Sequence, residues 1–90
     1  MAKVIPAVGE PYEVQPKNGK YFVLKEMQEI VGGYIEIIYL GNDKLMVVNE
    51  EGKLEGLPWN EEATKMFLEC VRTFDYIAGN ALICDEHEIR

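Results

Sequence analysis

Tyr34-Ile35-Glu36-Ile37-Ile38-Tyr39-Leu40-Gly41-Asn42-Asp43-Lys44-Leu45-Met46-Val47-Val48 is the stretch that decides the fold. Its first seven residues are mostly β-branched or aromatic, side chains that pack well on a pleated surface. Gly41-Asn42-Asp43 then supplies turn residues, and Leu45 to Val48 is a second apolar run, so the segment reads as a β-hairpin. Glu36, in the middle of the first strand, marks either the solvent face of the sheet or a residue that points into a pocket.

Upstream, Val23, Leu24, Met27, Ile30 and Val31 recur at helical spacing, with Lys25, Glu26, Gln28 and Glu29 on the other side. Gly32-Gly33 ends that helix, one glycine supplying the left-handed cap. Farther back, Lys3 to Val8 and Tyr12 to Gln15 read as short extended segments, and Pro6, Pro11 and Pro16 suggest an edge position. Downstream, Asn49 to Lys53 is a polar turn, and Leu54 to Trp59 is irregular. Asn60 is an N-cap, Glu61 and Glu62 complement the helix dipole, and Ala63, Met66, Phe67, Cys70, Val71 and Phe74 form an apolar stripe. Tyr76 to Cys84 reads as a last strand, interrupted at Gly79-Asn80 by a bulge or by close backbone approach to a ligand. The fold class expected is α+β: a mainly antiparallel sheet of about four or five strands with two helices packed on one face. Met27, Ile30, Ile35, Ile37, Val47, Met66, Phe67, Cys70 and Ile83 are the expected core, and 84–90 is expected to be a charged tail on a single domain covering 1–90.

Composition limits the function more than it names it. The 90 residues are 48% apolar and 28% charged, with a formal charge of −7, which fits one compact domain and repels nucleic-acid backbones and anionic membrane surfaces. No apolar run reaches the length of a membrane span, and the start of the chain lacks a signal-peptide pattern, so a cytoplasmic location is expected. Serine is absent, and the single histidine, His87, lies in a charged stretch near the end. Cys70 and Cys84 sit in apolar segments and are expected to be buried, reduced thiols. Neither a catalytic residue nor a metal site nor a cofactor is expected, and the reading is that the protein is not an enzyme.

Met27 to Glu36, Asn49 to Leu54, Gly56-Leu57-Pro58 and Asp75 to Ala81 together resemble a family of small phage- and plasmid-encoded proteins known only as a domain of unknown function, number 3846. The likeness spans roughly residues 20 to 84 and leaves the tail outside. It implies an accessory protein of a phage or other mobile element, acting in the cytoplasm of the host cell, and brings no activity with it.

Two readings follow. In the first, the protein is an anti-defence sponge that sequesters a nucleotide-like signal of host immunity: Asn49, Glu50, Lys53, Trp59, Asn60, Gly79 and Asn80 form the ligand site, Trp59 stacking on a base and Lys53 meeting a phosphate. Lys44, Lys65 and Arg72 are the other candidate phosphate holders. Each of the site residues also has an ordinary structural role open to it: Asn60 a cap, Trp59 a core anchor, Asn49 to Lys53 a turn. In the second, an acidic, aromatic surface inhibits a host or phage protein, with Tyr12, Tyr21, Tyr34 or Tyr39 as anchors inside a carboxylate rim. A homodimer is expected on either reading, because nine aromatic residues on so short a chain leave apolar surface to cover.

Overall fold

The computed structural model describes residues 2–70 and 75–89. The elements are β1 (Ala2–Ile5), β2 (Tyr12–Val14), α1 (Leu24–Val31), β3 (Ile35–Gly41), β4 (Lys44–Asn49), α2 (Glu61–Cys70), β5 (Ala81–Asp85) and a 3-10 turn, Glu86–Glu88. All five strands join one antiparallel sheet in the order β2-β1-β5-β4-β3. The expected α+β class and the β3–β4 hairpin are therefore present. Asn42 and Asp43 both take positive φ (53° and 61°), the conformation a two-residue hairpin turn requires. Gly32 closes α1 with φ 82°, its N–H donating to the Gln28 carbonyl at 2.7 Å.

Strand alternation splits the core in two, and each helix covers its own face. Leu45 and Val47 of β4, with Leu82 and Cys84 of β5, meet Met27 and Val31 of α1. Met46 and Val48, with Ala81, lie on the other side and meet Ala63 and Phe67 of α2. Because successive strand residues point to opposite faces, the helices flank the sheet instead of sharing the single face expected from their stripes. A sheet buried on both sides explains why all but the first residue of β4 are buried.

Several expected positions move for local reasons. Ile37 is 47% exposed, because β3 is an edge strand and α1 covers only its Ile35 end. Cys70 is exposed, whereas Cys84 is buried. The buried face of α2 is turned toward Thr64, whose hydroxyl oxygen accepts from the Ile77 N–H at 2.9 Å and from Trp59 Nε1 at 3.0 Å. That rotation leaves Met66 half-buried and Cys70 on the flank. Val71 and Phe74 lie outside the described residues. Of the proline-marked strands only β2 is an edge, since β1 pairs on both sides. The last strand is shorter than expected, with Trp59 and Ala78 forming an isolated bridge ahead of it.

The charged stretch after Cys84 is not a free tail. Glu88 is buried, its carboxylate accepts from the Asp85 N–H at 2.8 Å, and its carbonyl accepts from the Phe22 N–H at 2.6 Å. Ile89 pairs in parallel with Phe22. Asp85 accepts a hydrogen bond from Lys44, which holds its carboxyl down at about 2. Among the described residues no helix is long and apolar enough to cross a membrane.

The two thiols should separate cleanly. Burial pushes the Cys84 thiol up to about 12, with the Glu88 carboxylate adding to the effect. A thiol reagent applied to the native protein at neutral pH should therefore label Cys70 within minutes and Cys84 only after denaturation. Fast labelling of both in the wild type, or continued fast labelling in Cys70→Ala, would contradict this placement.

Candidate functional site

The segments singled out in the sequence converge. The Gly79 N–H donates to the Pro58 carbonyl at 2.7 Å, the Asn60 N–H to the Ile77 carbonyl at 2.8 Å, and the Leu57 N–H to the Gly52 carbonyl at 2.9 Å. Gly52 lies so close to Ala78 that a Cβ there would stand 2.6 Å from its carbonyl oxygen, which forces glycine at this crossing. The turn at 49–53, the stretch at 57–60 and the stretch at 77–80 are thus tied to one another.

Their asparagines, however, face the scaffold. Asn60 is 1% exposed; its Nδ2 donates to the Ile5 and Gly79 carbonyls at 2.7 and 2.9 Å, and its Oδ1 accepts from the Ala63 N–H at 3.0 Å. Asn49 donates to the Val31 carbonyl and to Glu55, and accepts from the Glu51 N–H. Asn80 accepts from the Ala7 N–H and donates to the Ile30 carbonyl. A side-chain amide has two donors and one acceptor group; Asn49 and Asn60 spend all of theirs on the scaffold, and Asn80 spends its acceptor and one donor there. No buried side-chain nitrogen or oxygen lacks a partner among the described residues.

What opens to solvent is a cup of about 360 Å³ on the α2 face. Ile38, Val48, Phe67 and Ile77 supply its apolar lining, and Glu36, Glu50, Glu51, Lys53, Asp75 and Tyr76 its polar and aromatic lining. Glu36 belongs here because it shares a face with Ile38, two residues on, so it is both solvent-exposed and directed at a pocket. Lys53 is ion-paired with Asp75 and lies 4.6 Å from the centre of the Tyr76 ring. Tyr76 in turn meets Trp59 edge to face, centroids 6.0 Å apart. Trp59 is 64% exposed, its ring held at one end by the bond to Thr64.

Of the seven residues expected at a site, Asn49, Glu50 and Lys53 line the cup, and Trp59 joins it through Tyr76. Gly79 and Asn80 line a separate depression between α1 and the 57–58 stretch, and Asn60 touches a third, at the start of α2. Sequence reasoning missed Asp75, Tyr76 and Glu51. The signal available was the step from a charged and an aromatic residue to the apolar pair Ile77-Ala78, which was absorbed into the last strand. Of the other candidate phosphate holders, Lys44 is engaged by Asp85, Lys65 lines a groove beside α2, and Arg72 lies outside the described residues. Among the described residues no three His, Cys, Asp or Glu side chains gather as a metal site would need.

Chemically, the cup presents four carboxylates, those of Glu36, Glu50, Glu51 and Asp75, against one ammonium already paired. A family model described as a domain of unknown function (DUF3846) matches residues 2–89, the closing turn included. No curated protein and no solved structure matches the chain.

Proposed function

The chain belongs to the DUF3846 family, and we propose that it is a non-catalytic binding module whose acidic, aromatic cup docks on a basic segment of a protein partner. The observation that carries this reading is the cup and its margin: Tyr76 in the lining, with the exposed Trp59 ring against it, stands beside carboxylates that outnumber the one neutralised lysine. Aromatic anchors with a charged rim are what a protein interface concentrates its energy in, and a partner's Lys or Arg would meet both a ring face and a carboxylate. The setting that goes with it is an accessory protein of a phage or other mobile element, inhibiting a host or phage protein in the host cytoplasm.

The nucleotide-sponge reading retains one specific support, the exposed Trp59 ring. Stacking a base on it gains about 1–3 kcal/mol. A phosphate placed about 4 Å from an uncompensated carboxylate loses about 1–4 kcal/mol, depending on solvent screening. Charge therefore cancels the stack, and the basic partner is favoured.

Trp59 is the chain's only tryptophan, so its fluorescence reports on the margin of the cup, where it meets Tyr76. Titration with a Lys/Arg-rich peptide should shift its emission to the blue, and binding should weaken with added salt and fall at least tenfold in Trp59→Ala, measured by calorimetry. Affinity capture from host extract should return a stoichiometric protein that the Glu36→Gln, Glu50→Gln double variant loses. If nucleotides bind instead, and Lys53→Ala and Trp59→Ala each weaken them by about 1–3 kcal/mol, the sponge takes the place of the docking module.

A further inference from the structure

The two edges of the sheet are treated differently. At one edge β2 is three residues long, stands between Pro11 and Pro16, and carries Glu13, the usual protection of an exposed strand. At the other, β3 runs for seven residues with a single charge, and Ile37 and Tyr39 are 47% and 57% exposed. The Glu50 N–H donates to the Tyr34 carbonyl at 2.8 Å, which fixes the phase of the β3–β4 ladder. Hydrogen-bonded pairs then fall at Glu36–Val48 and Ile38–Met46, so Ile35, Ile37 and Tyr39 turn their N–H and C=O groups outward from the sheet.

We propose that the outer edge of β3 pairs antiparallel with β3 of a second copy of this chain, about a two-fold axis at Ile37, merging two sheets into one. The register follows from the side chains. An axis at Glu36 sets two carboxylates directly opposite each other, which is destabilising. An axis at Ile38 or Tyr39 carries the pairing into the bulge between Tyr39 and Gly41. The axis at Ile37 uses every outward-facing residue before the bulge, sets Ile37 against Ile37 and Tyr39 against Ile35, and places Glu36 opposite Ile38. Aromatic-to-β-branched pairs of this kind are favourable across strands. So short a contact buries less than the roughly 800 Å² per partner of a standard interface, which makes the dimer concentration-dependent and not obligate. It does not depend on the cup. Each copy carries −7, so added salt strengthens the dimer by screening repulsion, opposite to its effect on docking with a basic partner.

Sedimentation velocity over the micromolar range tests it. The mass should rise toward twice 10.3 kDa with concentration, and more so at about 0.5 M than at about 0.05 M salt. Ile37→Lys should raise the dissociation constant at least tenfold with melting unchanged. In a Cys70→Ala background, Ile37→Cys should form a disulfide-linked dimer on mild oxidation, whereas Glu36→Cys should not. A chain that stays monomeric up to about 100 μM, or a dimer indifferent to Ile37→Lys, or equal crosslinking of both cysteine variants, overturns the proposal.

Discussion

Asn60→Ala is expected to cost about 3–7 kcal/mol, measured by chemical denaturation. The change removes the cap of α2, worth about 1 kcal/mol, and strips the Ile5 and Gly79 carbonyls of their buried donor, at about 1–3 kcal/mol each. A 90-residue domain has about 5–13 kcal/mol in all, so this variant approaches the unfolding threshold. Asn60→Asp separates the two losses. Its carboxylate still accepts from the Ala63 N–H but faces two carbonyl oxygens with no proton to offer. The buried site raises the pKa of the new carboxyl above its unfolded value of about 3.9, so the folded state holds the proton over a wider range. Relative to wild type at the same pH, Asn60→Asp should therefore be least damaged at low pH and lose stability as pH rises above about 4. A loss under 1 kcal/mol for Asn60→Ala would mean that this side chain does not hold the three elements together.

Phe67→Ala is the second large effect, at about 3–5 kcal/mol. Phe67 is 8% exposed and is the largest side chain that α2 sends into the sheet, where it packs in one cluster with Met46, Val48 and Ile77 and also lines the cup. The variant should lose partner binding along with stability, whereas Trp59→Ala should lose binding with a much smaller change in melting. A melt of Phe67→Ala within 1 kcal/mol of wild type would show that α2 is held by something other than this contact.

The hairpin and both helices were legible in the sequence because each rests on local information: turn residues, a spacing of two or of three to four, and caps. What was not legible depends on strand order. The exposure of Ile37 follows from β3 lying at an edge, and the division of the helices between two faces follows from which strand neighbours which; neither fact is contained in any window of residues. The asparagines show a different limit. A side-chain amide that reads a ligand and one that braces a loop have the same chemistry, and only the neighbours decide between them. Asn49, Asn60 and Asn80 found carbonyls and N–H groups of the fold. Lys53, expected to meet a phosphate, is held instead by Asp75 and Tyr76, partners more than twenty residues away that no local window shows. Charge was the most transferable signal, since the acidity of the whole chain recurs in the cup.

The position of β5 between β1 and β4 also governs how the chain is made. Residue 3 pairs with residue 83, so β1 has no neighbour on its inner side until some eighty further residues have left the ribosome. During synthesis, at roughly 5–20 residues per second, the hairpin of β3 and β4 closes early while the inner edge of β4 waits. For those seconds the edge of β4 that β5 will occupy has no strand partner. β5, emerging after its two neighbours, fills the centre of the sheet, and folding becomes all-or-none at that step because both halves of the core depend on it.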